Sequence, residues 1–264
     1  MKRQTFVVMS FLGIALLLAG GIAWTAPRQP RQMSSGDVPM EITLAGPTGL
    51  RASVEQLAPA FEAKTGYKIK GTFAASGTIK KRVIDGEPFD VVILLMPIAD
   101  ALASGTVVES SVRPLASVPI ALAVKKGAPK PDVSTPEALK NTLLAAKAIA
   151  YPHGSPGAAS GVSVDDTLNR LGITDQILPK VKQGGIAVVV KGDADFALAF
   201  QNEINDPGVD IVGPLPAAVS TPSPMVGTIS SHAKNPAAAK ALLDYLASPD
   251  AKAVYKSKGM IPAN

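Results

Sequence analysis

The sequence contains no cysteine, which excludes disulfides, thiolate metal sites, a cysteine nucleophile and a lipidated N-terminal cysteine. In a chain of 264 residues this says little about compartment, because a domain of that size folds without covalent staples. Aromatics are scarce at 5% while apolar residues reach 47%, so Ala, Val, Ile and Leu must supply most of the packing, as in α/β proteins. Concentrated charge is also missing. Of the formal +5, residues 1–40 hold +3 (Lys2, Arg3, Arg28 and Arg31 against Asp37), which leaves +2 for the remainder. The longest basic run is Lys80-Lys81-Arg82, a solvated helix face by its spacing. A nucleic-acid binder gathers Lys and Arg on one patch, so no nucleic-acid partner is expected.

Catalytic patterns are equally sparse. His153 and His232 are the only histidines, and nothing in the sequence ties either to a carboxylate and a nucleophile. "GVSVDD" and "GTISS" lack the flanking glycines of a nucleophile elbow. Asp165 and Asp166 are neighbours on a helix and point in different directions. There is no phosphate-binding Gly-Lys-Ser/Thr loop and no cluster with metal-ligand spacing. An enzyme is therefore the least expected class, and neither a cofactor nor a metal is expected.

What is present begins with an address. "MKRQTFVVMSFLGIALLLAGGIAWTAP" opens on two cations, runs apolar from Phe6 to Trp24 and ends in small residues, the pattern of an export signal. The apolar run approaches the roughly 20 residues that span a bilayer, so residues 1–26 read as a cleaved signal peptide or a retained signal anchor. With Lys2 and Arg3 inside, either outcome places the rest outside the cytoplasm, in the periplasm or its equivalent. Residues 27–40, rich in Gln, Ser and Pro, read as a linker.

From Glu41 onward strands alternate with helices, which predicts an α/β fold with mostly parallel sheet. "EITLA", "YKIKGTF", "FDVVILL", "IALAV", "AIAY", "DFALAF", "DIVGPLP" and "MVGTIS" read as strands. Pro59 inside the first helix predicts a bend or an early end there. Thr135-Pro136, Asn235-Pro236 and Ser248-Pro249 each pair a cap residue with Pro at the first turn of a helix. Pro-dense stretches around 113–120 and 214–224 read as crossings between two lobes, 41–117 with 221–264 and 118–220.

Open α/β sheets bind ligands beyond the carboxyl ends of their strands. Three strand-to-helix loops are rich in small polar residues: "AGPTGLRAS" (45–53), "AASGTIKK" (74–81) and "PHGSPGAASGVS" (152–163). Each sets unpaired N–H groups at a helix start, where the dipole favours an anion. These loops nominate Thr48, Gly49, Ser76, Gly77, Thr78, Ser160 and Gly161 as residues that close over a small anion.

The stretch "FAASGTIKKRVIDGEPFDVVI" resembles the signature of the periplasmic molybdate-binding proteins, with its Phe-Ala strand end, Ser-Gly-Thr helix start and Gly-x-Pro-x-Asp-Val third strand. "ITLAGPTGLRASVEQLAPAFEAKTGYKIKGTF", "SGVSVDDTLNRLGITDQILPKV" and "VVVKGDADFALAF" are similar to other segments of that family, so the likeness covers nearly all of 41–264. The resemblance implies a two-lobed periplasmic binding protein fold, each lobe a sheet flanked by helices, joined by a hinge. It implies an ABC-importer receptor that closes over a small oxyanion and docks on a membrane permease. It also implies Ser76 as a hydroxyl ligand, Ser160 as an amide donor and Gly185-Ile186 as a further amide position.

Two departures stand out. Gly49 replaces the family's usual Ser, with Thr48 beside it and Arg51 nearby; Phe200, followed by Gln201, replaces a frequent Tyr. An Arg suits a carboxylate, which it grips with two parallel bonds. Molybdate or tungstate is therefore the first expected ligand, with a small organic polycarboxylate, or a membrane-anchored anion sensor of the same fold, as alternatives. The effector domain of a cytoplasmic regulator shares such a fold, but the leading apolar segment speaks against it. Nothing calls for an oligomer, and a monomer is expected.

Overall fold

The computed structural model describes residues 41–264; the readings of a signal or anchor over 1–26 and of a linker lie outside the described residues. The strands are β1 (Glu41–Pro47), β2 (Lys68–Ala74), β3 (Val91–Leu95), β4 (Arg113–Val118), β5 (Ile120–Lys125), β6 (Ile149–Ala150), β7 (Val181–Lys182), β8 (Phe196–Phe200), β9 (Val209–Pro214), β10 (Ser223–Ile229) and β11 (Ile261–Pro262). The helices are α1 (Arg51–Thr65), α2 (Ser76–Ile84), α3 (Ala99–Ala103), α4 (Pro136–Ala145), α5 (Ala159–Leu171), α6 (Thr174–Ile177), α7 (Ile186–Lys191), α8 (Pro236–Leu246) and α9 (Pro249–Ser257).

Two sheets result. The first runs β11-β4-β10-β3-β1-β2 and the second β7-β6-β8-β5-β9. Strand β3, "VVILL", is buried along its whole length, as a run apolar on both faces requires when helices cover both sides. The chain leaves the first sheet between β4 and β5 through Pro119 alone, and returns between Pro214 and Ser223. Both Pro-dense stretches thus connect one sheet to the other. The first is mostly strand, since β4 occupies 113–118.

The sheets are mixed, which corrects the expectation of mostly parallel sheet. β1 pairs in parallel with β2 and β3, and β6 with β7 and β8. β10 lies antiparallel between β3 and β4, and β5 antiparallel between β8 and β9. β11 also pairs antiparallel with β4, and β10 and β5 are the strands that enter directly from the other sheet. Without a crossover helix to reverse it, the chain arrives running the opposite way.

Helix α1 continues through Pro59 to Thr65 and closes on Gly66 at φ 77°. Pro59 and Glu55, whose carbonyl loses its intrahelical donor, are both on the exposed side, where water satisfies that carbonyl and the helix need not end. One buried polar knot ties the first sheet to the returning chain. Asp90, 3% exposed, accepts from the Thr43 amide (2.8 Å), the Thr43 hydroxyl (2.7 Å) and the Lys234 amide (2.7 Å) just before α8.

Candidate functional site

Among the described residues, the six helices of nine or more residues start in two different ways. α4, α8 and α9 begin on Thr135, Asn235 and Ser248, whose side chains accept from the amides of Ala138, Ala238 and Ala251. α1, α2 and α5 begin after Leu50, Ala75 and Ala158, none of which caps with a side chain. Such a start leaves first-turn N–H groups to other partners: the Arg51 amide is spent on the Thr48 carbonyl of the preceding turn and the Gly77 amide on the Gly157 carbonyl. The first residues of α2 and α5 and the turn Thr48–Leu50 border one cleft.

Between them lies a cleft of about 350 Å³ lined by Thr48, Gly49, Ala75, Ser76, Pro152, Gly157, Ala158, Ala159, Ser160, Phe200, Asn202, Glu203 and Asn205. Its rim is closed at one point, where the Gly77 amide donates to the Gly157 carbonyl at 3.0 Å. Gly157 sits at φ +76°, and a Cβ on Gly77 would collide with the Gly157 Cα, so this approach requires glycine on both sides. Nearby, Ser163 at the start of α5 and Ser223 at the start of β10 bring their hydroxyls to 3.2 Å.

Four of the expected residues line the cleft: Thr48, Gly49, Ser76 and Ser160. Ser76 is the first residue of α2, and Ser160, 8% exposed, lies in the first turn of α5. Gly77 forms the bridge, and Thr78 sits in the same first turn behind it. Gly161 is absent from the lining, because it serves packing: a Cβ there would collide with the Pro152 carbonyl. Ile186 opens the short α7 and packs against the cluster under the second sheet. Gln201 lies against Gly259, whose Cβ would come within 2.7 Å of the Gln201 Nε2. Arg51 turns away as well. Its guanidinium lies 5.0 Å over the Phe73 ring and 3.9 Å from Glu55.

Among the described residues the lining carries no cation, and its one ionisable group is Glu203, which the sequence reading did not nominate. Burial alone pushes the Glu203 carboxyl above the ordinary carboxylate range. Its neighbour Asn202 fills the place a side chain on residue 49 would take, with Nδ2 2.6 Å from the position of that Cβ. The Gly49 departure and the presence of Asn202 are thus one steric feature. Among the described residues the Asn202 Oδ1 is buried without a hydrogen-bond partner. The signal for all three polar residues was the run "QNEIN" directly after β8, at the carboxyl end of a strand where α/β ligands sit.

One histidine has a carboxylate beside it that the sequence did not announce. His153 Nδ1 lies 2.8 Å from the Asp165 Oδ1, and the Tyr151 hydroxyl donates to the same oxygen at 2.8 Å. Burial first, then the Asp165 carboxylate, pushes the Tyr151 hydroxyl upward. Asp165 belongs to a different hollow, along α5 and α6, and does not line the cleft.

Two sheets flanked by helices, joined through two crossings and facing each other across a cleft of helix starts, define a two-lobed binding protein. The family model "Bacterial extracellular solute-binding protein" matches residues 42–261, and the chain belongs to that family. The chain is 34% identical over 233 residues to an aconitate isomerase of a Pseudomonas species, covering 84% of this chain and 87% of that one. It is 25% identical over 230 residues to the molybdate-binding protein ModA of Azotobacter vinelandii, covering 83% and 89%. Among solved structures, the periplasmic molybdate-binding protein of Azotobacter vinelandii superposes with a TM-score of 0.69 at 19% identity, over 84% of this chain and all (100%) of that one. The resemblance to the periplasmic molybdate-binding proteins holds at the level of family and fold, with this chain a divergent member.

Proposed function

We propose that the protein is an exported receptor that closes over a small organic polycarboxylate of the aconitate class and presents it to an ABC permease. One observation carries the choice. The cleft has neutral donors and helix starts for an anion, yet its only ionisable side chain is a carboxyl, Glu203, held toward its acid form. A polycarboxylate can share a proton with Glu203 while its other carboxylates accept from the first turns of α2 and α5. A molybdate dianion brings no proton of its own, so it can sit beside Glu203 only while Glu203 keeps its proton. Size agrees. Four oxygens at roughly the 30 Å³ of a water each would occupy about a third of the 350 Å³ cleft. The 34% identity to a protein named aconitate isomerase supports the same ligand class.

Molybdate or tungstate is the second reading, favoured by the uncapped starts of α2 and α5 and by the 25% identity to ModA. In either case residues 1–26 direct export, and the lobes 41–117 with 221–264 and 118–220 close as a monomer through the Pro119 and Pro214–Ser223 connections. N-terminal sequencing of the mature protein separates a released receptor from an anchored sensor.

A thermal-shift panel of aconitate, citrate, molybdate, tungstate, sulfate and phosphate tests the ligand class. At 100 times its dissociation constant a ligand stabilises the folded state by about 2.7 kcal/mol, or roughly 5–10 °C for a chain of this size. A shift with the polycarboxylates and none with molybdate is expected; a shift with molybdate and tungstate alone overturns the reading.

A further inference from the structure

We propose that a second hollow between the lobes is a binding site for a small carboxylate with an apolar body, whichever anion fills the cleft, and that its occupant holds the lobes closed. The hollow has a volume of about 270 Å³. It shares Ser76, Gly157, Ala158 and Ala159 with the cleft but reaches neither Thr48 nor Asn202 nor Glu203. Its walls come from both lobes: α2 and the end of β3 on one side, the first turns of α5 on the other, with Ser223 at the start of β10. Met96, 43% exposed, and Val162, 70% exposed, line it from opposite lobes. They are two of the four large apolar side chains left that open among the described residues, and Leu95 and Pro97 extend the same wall. Exposed apolar groups gathered around a concave gap mark a place where something binds.

Lys80 supplies the positive charge that the cleft lining lacks. Its Nζ donates to the Pro97 carbonyl at 2.6 Å and lies 3.3 Å from the Asp100 Oδ1, which leaves one of the three ammonium N–H groups for a ligand. The Asp100 side chain is 53% exposed, so solvent screens its hold on that charge. The Ser163 and Ser223 hydroxyls lie 3.2 Å apart. One O–H serves the bond between them, and the other is open to donate. A bare oxyanion would satisfy these donors and waste the apolar wall; a neutral hydrocarbon would do the reverse. A carboxylate on a hydrocarbon body meets both, by a charge-assisted bond to Lys80 and by covering Met96 and Val162. At roughly 30 Å³ per non-hydrogen atom, the 270 Å³ holds about nine such atoms, the size of benzoate. Because the walls belong to both lobes, the hollow is complete only in the closed form. Its occupant and the cleft anion therefore favour the same state, and each tightens the other.

The experiment is saturation-transfer NMR of benzoate with the purified protein, alone and with saturating cis-aconitate or molybdate. Benzoate and hexanoate are expected to bind, with acetate, which lacks the body, and benzyl alcohol, which lacks the charge, each weaker by about tenfold or more. Whichever cleft anion stabilises the protein should tighten benzoate by about 5- to 150-fold, the usual span of coupling between two sites. Val162→Glu should abolish benzoate binding with an unchanged melting temperature, because that side chain is exposed. Lys80→Met should weaken benzoate by about tenfold and leave benzyl alcohol as it was. Displacement of benzoate by aconitate or molybdate overturns the inference, since it puts the acid in the cleft. Absence of benzoate binding under every condition overturns it as well, and so does full binding in both variants. The benzoate titration and the two variants are also read without a cleft anion, so failure of aconitate and molybdate to bind sinks the cleft reading and leaves this test intact.

Discussion

Gly77→Ala is expected to separate closing from folding. In the closed arrangement the new Cβ collides with the Gly157 Cα, and the collision falls on backbone, which cannot rotate away. Overpacking of this kind costs about 1–3 kcal/mol. Forcing the two glycines apart also removes the 3.0 Å bond from the Gly77 amide to the Gly157 carbonyl, worth about 1 kcal/mol. Closing should therefore lose about 2–4 kcal/mol, which weakens ligand binding by about 30-fold to about 1000-fold. Folding of the open form should move the other way. Residue 77 lies within α2, where Ala is preferred to Gly by roughly 0.5–1 kcal/mol. Calorimetry with aconitate and with molybdate reads the first effect, denaturant unfolding of the free protein reads the second, and small-angle scattering reads the larger radius of a lobe pair that cannot close. Unchanged affinity with a closed radius would refute the reasoning, because it would mean that the contact is incidental to the bound state.

Three further outcomes are expected. Ser76→Ala should weaken ligand binding by about 1–3 kcal/mol, the penalty for a buried group left unpaired, with little change in unfolding of the free protein; calorimetry checks it. Asp90→Ala should leave the Thr43 amide, the Thr43 hydroxyl and the Lys234 amide without their acceptor and cost about 2–5 kcal/mol of stability, read as a lower denaturant midpoint at constant slope. Glu203 makes stability depend on pH in a definite direction: its folded value lies above the ordinary 4.5, so the folded state holds the proton more tightly than the unfolded chain. Stability should fall as pH rises from 4.5 through that higher value and level off above it. Glu203→Gln should flatten that limb and raise the melting temperature at neutral pH.

Legibility in the sequence followed how local each cause is. The starts of α4, α8 and α9 were readable because a cap and a proline act within one turn, and Thr135, Asn235 and Ser248 do cap them. Strand β3 was readable because a run apolar on both faces has one comfortable place, the middle of a covered sheet. Strand β4 was hidden because Pro114 and Pro119 suggest a connection, whereas Pro114 is tolerated beside the bulge in the β10 register. The two-residue strands β7 and β11 are too short for any period. The His153–Asp165 contact joins residues 12 apart, and only the packing of the 152–158 loop on α5 brings them together.

The site was half legible for the same reason. Small polar residues before a helix announce a helix start, and Thr48, Ser76 and Ser160 fell where their loops placed them. What such a loop does not say is whether its N–H groups are spent internally, and here that decides function. A side-chain cap is worth about 1 kcal/mol, so a helix without one gives up stability of that order. Among the described residues α2 and α5 give it up, while α1 is led in by the turn Thr48–Leu50, whose Thr48 carbonyl takes the Arg51 amide. Both begin at the cleft, through Ser76 and through Ala159 and Ser160, while the capped α4, α8 and α9 contribute nothing to its lining. A partition of that kind is expected if the missing caps are the vacancies an anion fills. Asn202 and Glu203 then distinguish this cleft from a plain oxyanion cage. They follow β8 and bring a carboxyl and a buried amide oxygen to the same cleft, which on the polycarboxylate reading meet the protons such a ligand brings.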